Sequence, residues 1–383
     1  MIGFIRINIS VNPAFTYCNS FYQTASNESM RYFVALYCLS IFIPSCHKKN
    51  DDLHTRSFRM GFANSATRPN FNAFVQSLNT WSQRADAAII STEVPWDSLL
   101  NGETVYEYII HNYVNIVQFY RQKNFALWVY IDPENGLERR TDADALVKRG
   151  TSIANPDMQV LYTRFVVLMD SLLRPDHLGL ALETNLIRGS ASPAIYDGVK
   201  KAAHAAALAV RSFDTKVRLS VSMQVDYAWG KMSGQSYIGI EEDLKDFPFL
   251  QELGLSSYPY FNFKSPDEIP DNYYARLVEG KNLPVMVTES GWASVQVPGN
   301  NGGPDSGSPA LQKMYIERQA VLLNTAKATA WFQLTFTDID LAALPPSTPE
   351  NLKYFTSIGL VDTAFQPKPA LSAWDSIFNL SIN

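Results

Sequence analysis

Eight short apolar runs, separated by stretches of helical period, constrain this chain more than any other feature. They fall at 58–62, 87–91, 126–131, 178–183, 217–223, 253–258, 285–289 and 330–336. Between the first two, Phe71, Phe74, Val75, Leu78 and Trp81 share one helical face. Asn155-Pro156, Ser192-Pro193 and Ser308-Pro309 each set a good N-cap residue before a proline suited to the first helical position. Most of the runs lie too far apart to be hairpins. Strand–helix alternation over about 320 residues predicts an α/β fold, a single (β/α)8 TIM barrel spanning 58–383.

An open doubly wound sheet is the alternative. It lacks its usual signatures, because no GxGxxG follows the first run and no GxxxxGKS/T occurs anywhere. The glycine-rich GNNGGPDSGS at 299–308 has no phosphate-loop spacing and reads as a βα-loop.

Composition narrows the chemistry. A formal net charge of −5 and a pI near 5.6 leave no basic surface for nucleic acid. The three cysteines, Cys18, Cys38 and Cys46, all lie at the front, so no disulfide or thiolate metal site can form in the barrel. His47, His54, His111, His177 and His204 are scattered and read as solvated or structural. No metal, no cofactor and no metal-dependent hydrolase are expected.

The front of the chain has its own pattern. At 30–46, MRYFVALYCLSIFIPSC places a methionine and an arginine before a short apolar stretch that ends in small residues and Cys46. That is the anatomy of a secretory leader, with an apolar core too short to span a bilayer. IPSC resembles the lipobox of bacterial lipoproteins, in which the cysteine carries lipid. Residues 1–29 then read as a misassigned upstream segment, 30–45 as the leader and 46–57 as a polar tether. The expected location is the bacterial cell envelope, with membrane contact only through lipid on Cys46. A buried apolar helix is the plainer alternative for this stretch.

In a barrel, the active site gathers at the C-terminal ends of the strands. In LGLALETN, side-chain alternation puts Gly179, Ala181 and Glu183 on one face and three leucines on the other. In LPVMVTESGW it groups Val285, Val287 and Glu289, and in GLSSYPY it groups Gly254, Ser256 and Tyr258. A single glutamate at a strand end is ordinarily a structural ion pair. Two of them, inward at strands four and seven, form the pair that glycoside hydrolysis needs. One protonates the leaving oxygen and the other attacks the anomeric carbon, about 5–5.5 Å apart if configuration is retained.

VMVTESGW resembles the nucleophile strand of family 17 β-1,3-glucanases and family 53 endo-β-1,4-galactanases, and LGLSSYPYF resembles strand six of family 53. QPKPALSAW, at 366–374, resembles the closing helix of such enzymes. The likeness to clan A glycoside hydrolases is specific over strands six to eight and the tail. It implies Glu183 as acid/base, Glu289 as nucleophile and Tyr258 as its partner. One departure stands out: the clan usually has asparagine before the acid/base glutamate, where this chain has Leu182, with Asn185 two residues after. Either Asn185 substitutes, or the acid is Glu93, Asp132 or Glu134, or hydrolysis is lost and the barrel only binds glycans.

Trp96, Trp229, Tyr260 and Trp292 lie near strand ends, where sugar rings could stack on them, whereas Trp128 and Trp331 sit inside strands and read as packing. The expectation is a monomeric retaining glycosidase that cleaves a β-linked, plant-type polysaccharide or oligosaccharide.

Overall fold

A computed structural model of the chain describes residues 53–297, 306–346 and 348–383. Cys46 and the leader lie outside the described residues. The barrel strands are β1 (Arg59–Phe62), β2 (Ala87–Glu93), β3 (Ala126–Asp132), β4 (His177–Gly179), β5 (Arg218–Ser220 and Ser222–Gln224), β6 (Leu253–Ser257), β7 (Val285–Ser290) and β8 (Ala330–Gln333). All pair in parallel, in two arcs.

The arcs meet at two seams. At one, β5 is interrupted at Val221. Hydrogen bonds from Leu180 N to Ser220 O (2.9 Å), Ser222 N to Ala181 O (3.0 Å) and Gly254 N to Val221 O (3.0 Å) carry the ladder across. At the other, a parallel bridge joins Ala63 to Ile89, and Asp86 N donates to Met60 O at 3.0 Å. The ring of eight strands expected from the alternation is thereby joined all round.

The main helices are α1 (Phe71–Trp81), α2 (Asn115–Gln122), α3 (Pro156–Leu173), α4 (Thr184–Ser190), α5 (Pro193–Arg211), α6 (Pro309–Thr325) and α7 (Pro369–Phe378). Asn155, Ser192 and Ser308 cap α3, α5 and α6, with proline in the first turn. In α1, Phe74, Leu78 and Trp81 are buried, but Phe71, the first member of the expected face, is exposed. Helix α7 closes the barrel by seating Trp374 against Trp331 (4.7 Å between ring centres) and Phe62 (4.5 Å).

Two boundaries depart from the sequence reading. Thr55–Arg56 is not part of a tether, because it pairs with Ser381–Ile382 next to the chain's end. Arg56 also binds the Asp86 carboxylate at 2.7 Å. Strand β4 ends at Gly179, well short of Glu183. Residues in such short strands carry too little alternation to mark where the ladder stops.

The barrel interior is filled in layers. At its base, Trp128 stacks on His177 at 3.9 Å, and Trp128 Nε1 donates to Met286 Sδ at 3.0 Å across the barrel. His177 and Arg218 both bind the buried Glu252 carboxylate. One layer up, Tyr130 reaches Ser220 at 2.6 Å by passing over Gly179. A Cβ on Gly179 would lie 2.1 Å from the Tyr130 ring, so this close approach requires glycine.

Candidate active site

Above these layers, the C-terminal ends of β2, β3, β6 and β7 and the start of α4 bring polar side chains together. Glu289 comes from β7, and its direction depends on an irregularity. Met286 pairs with Gly254, and its contact with Trp128 on the far side of the barrel places it inside. Strict alternation would then turn Glu289 outward. A bulge intervenes, because Leu255 pairs with Val287 while Ser256 pairs with Glu289, leaving Thr288 as the extra residue. Bulges re-aim side chains in this way. Glu289 therefore points inward, but it shares the interior with Met286, not with Val285 and Val287 as alternation implied.

Two donors meet Glu289, one from β2 and one from the turn just after β6. Ser91 Oγ lies 3.5 Å from Oε1, and the Tyr258 hydroxyl 3.4 Å from Oε2. Burial, then the charges of Glu289 and Glu183, push the Tyr258 phenol well above its usual range, so it stays a donor. Ser290 locks the end of β7 to β8 by donating to Phe332 O at 2.9 Å while accepting from Trp331 Nε1 at 2.8 Å.

Glu183 arrives by another route. It is the N-cap of α4, in left-handed backbone conformation (φ 48°, ψ 43°). A non-glycine residue held there costs about 1–3 kcal/mol and persists only where its surroundings impose it. Both of its oxygens are engaged: Ser256 Oγ donates to Oε1 at 2.6 Å, and Arg139 Nε donates to Oε2 at 3.0 Å. Ser256 is also the backbone partner of Glu289, so the end of β6 and Tyr258 just after it reach both glutamates.

Arg139 lies in the loop after β3 and is sealed from solvent. Its Nη1 donates to Asp132 at 2.5 Å while Nε holds Glu183. Around it stand further carboxyls. Glu93 is in register with Asp132 and accepts from Gly136 N at 3.0 Å. Burial, with the Asp132 charge adding to it, pushes Glu93 up to about 7. Burial also raises Asp132, against the pull of Arg139. Glu134 is raised well above the usual carboxylate range, first by burial, then by Asp142 and Asp132.

The other anticipated binding residues occupy different places. Asn185 exchanges hydrogen bonds with the Gln224 backbone in both directions, at 2.9 and 2.8 Å, and is buried, so it ties α4 to β5. Trp292, expected as a stacking face, is fully buried between Tyr260 and Tyr315 and donates to Ser306 O at 2.8 Å. Tyr260 is buried and bonds Tyr354 O, and Trp96 is buried and bonds Pro133 O. Trp229 is half-buried, stacked on Tyr273 and covered by Arg276 at 5.0 Å. These rings pack the loops above the barrel, because aromatic bulk is the simplest way to fill that layer.

Those loops form a roof. Asn351 Nδ2, after β8, donates to Leu137 O, after β3, at 2.8 Å. Phe355 sits edge-on to Tyr258 at 5.0 Å. Arg139, Ser91 and this roof carry no signal in the sequence, because contacts between segments far apart in the chain leave no local pattern. Among the described residues, no group of three or more His, Cys, Asp or Glu is placed to hold a metal ion.

No protein-family model and no curated protein matches the chain. Solved structures do. A GH53 catalytic domain from Ignisphaera aggregans is 15% identical with a TM-score of 0.56, over 84% of this chain and 91% of that one. The β-glycosidase BGL167 is 11% identical with a TM-score of 0.59, over 86% of this chain and 97% of that one. A β-glucuronidase from an uncultured Clostridium is 12% identical with a TM-score of 0.56 over 84% of this chain, which spans 50% of that protein's length. At such identities the likeness carries the architecture alone: this chain has the (β/α)8 barrel fold that these glycosidases share.

Proposed function

We propose that the chain is a retaining glycoside hydrolase that acts as a monomer on a β-linked polysaccharide or oligosaccharide. The observation that carries this reading lies at the end of β6, where Ser256 holds Glu183 and Tyr258, just past the strand, reaches Glu289. Contacts to both buried carboxyls from residues only two apart in sequence support reading the two as one catalytic pair. Glu183's left-handed backbone supports it, since such strain collects at functional positions. The solved structures of the same fold are themselves named as glycosidases.

In the first step, Glu289 attacks the anomeric carbon and forms a glycosyl ester, while the glycosidic oxygen leaves with a proton from Glu183. In the second, Glu183 takes a proton from water, whose oxygen displaces Glu289 and regenerates both groups. Tyr258 orients the attacking carboxylate.

A second reading keeps Glu289 and makes Glu93 the acid. It is favoured by the engagement of both Glu183 oxygens and by the rise of Glu93 to about 7, near the ideal for a general acid at neutral pH. Glu93 lies on the same face of β2 as Ser91, which reaches Glu289.

The test is a panel of β-linked polysaccharides assayed for reducing-end release, with Glu289→Gln as control and NMR of the first-formed anomer. Release with retention, lost in the variant, is the expected result. Glycan binding without release in the unaltered protein would favour a non-catalytic binding barrel, and inversion would exclude the ester. We also propose lipid anchoring at Cys46, on the sequence pattern 30–46. Cys46→Ala should move the protein from the membrane fraction to the soluble one. Light scattering should return the mass of one chain.

A further inference from the structure

The loop after β3 holds two unsatisfied polar groups of complementary kind. Glu134 and Arg139 are both buried. Neither Glu134 oxygen nor Arg139 Nη2 has a hydrogen-bond partner among the described residues. The other two guanidinium nitrogens hold Asp132 and Glu183, so Nη2 belongs to the same cluster. Glu134 belongs to it as well, since its N–H donates to Asp132 Oδ1 at 3.2 Å. The Arg139 charge and the Ala143 N–H oppose the rise in Glu134 without closing a hydrogen bond to either oxygen. Leaving such groups unpaired is costly, and a native site that does so calls for a ligand or solvent.

We propose that Glu134 and Arg139 Nη2 form a hydroxyl-binding subsite for the sugar ring seated beside Glu183. A sugar hydroxyl both accepts and donates, so one hydroxyl can accept from Nη2 and donate to Glu134. Glu134 keeps an acceptor oxygen whether or not it is protonated. The subsite discriminates by presence of that hydroxyl, because a deoxy ring would leave both buried groups unpaired. The inference rests on the glycosidase reading, and the experiment separates the two.

The probes are monosaccharide iminosugars of gluco, galacto and manno configuration, with the monodeoxy derivatives of the tightest binder, measured by titration calorimetry. Glu134→Ala deletes an unpaired buried carboxyl, so its melting temperature should not fall. It should weaken the best iminosugar about 10- to 100-fold, the cost of leaving the sugar hydroxyl buried without its partner. Glu134→Gln, which keeps an acceptor oxygen, should restore most of that loss. One monodeoxy derivative should bind unaltered protein and Glu134→Ala equally. If Glu134→Ala, folded, binds the whole panel as the unaltered protein does, the subsite is wrong and the glycosidase reading stands. If the unaltered protein binds no iminosugar and releases no reducing ends, both fall together.

Discussion

Arg139 Nε lies 3.0 Å from Glu183 Oε2, with both side chains sealed from solvent. The same guanidinium binds Asp132, so one cation balances two carboxylates in a medium that screens charge poorly. Replacing Arg139 by leucine leaves both acids buried without their partner. We expect a loss of about 3–5 kcal/mol in urea unfolding. Arg139→Lys should recover only part of it, because a single ammonium cannot copy the fork. A change below about 1 kcal/mol for Arg139→Leu would mean that water already reaches the pair.

How much of this was legible in the sequence depends on which residues carry it. Eight apolar runs and three Asn/Ser-Pro caps declare the barrel, because strand and helix periods are local properties. Glu183 and Glu289 are legible as strand-end carboxylates, but alternation alone does not account for their direction. Alternation set Glu289 beside Val287, whereas the bulge at Thr288 sets it beside Met286. Glu183 is not on a strand at all, and its direction comes from a left-handed turn. Bulges and positive φ at non-glycine residues leave no periodic trace. Trp292 and Tyr260 follow strand ends and so look like stacking faces in sequence, but the roof that buries them is made by loops distant in sequence.

Gly179 is where the interior is tightest. An added methyl would meet Tyr130 Cδ1 at 2.1 Å and push the ring off its bond to Ser220. Gly179→Ala should cost about 1–3 kcal/mol, typical of overpacking. Calorimetric melting checks this. An unchanged transition would show that Tyr130 has another place to go.

Asp170, on α3, offers a prediction remote from the site. It is buried, neither oxygen has a hydrogen-bond partner among the described residues, and burial pushes it up to about 7. Its unfolded value is about 3.9, so between roughly pH 4 and 7 the folded chain holds the extra proton. Stability should therefore fall as pH rises through that window and level off above it. Asp170→Asn should flatten the slope and add about 1–3 kcal/mol at pH 8. Equal slopes for variant and parent would contradict this assignment.

The identity of the proton donor can be decided by kinetics on two kinds of leaving group. If Glu183 is the acid, Glu183→Ala should lower turnover of unactivated glycosides about 10²- to 10⁴-fold. Aryl glycosides with acidic leaving groups need no proton, so their first step should be spared, and added azide should speed the second. If Glu93 is the acid, those signatures should move to Glu93→Ala. The pH profile then gives an independent reading. A donor raised to about 7 delivers its proton only below that pH, so activity should decline as pH climbs past 7. Glu93→Gln would remove that limb along with most of the rate. Should Glu93→Gln keep the parent's alkaline limb, Glu93 is a spectator. The limb would then belong to another group, and Glu183, bound between Arg139 and Ser256, would have to release one of those bonds to act.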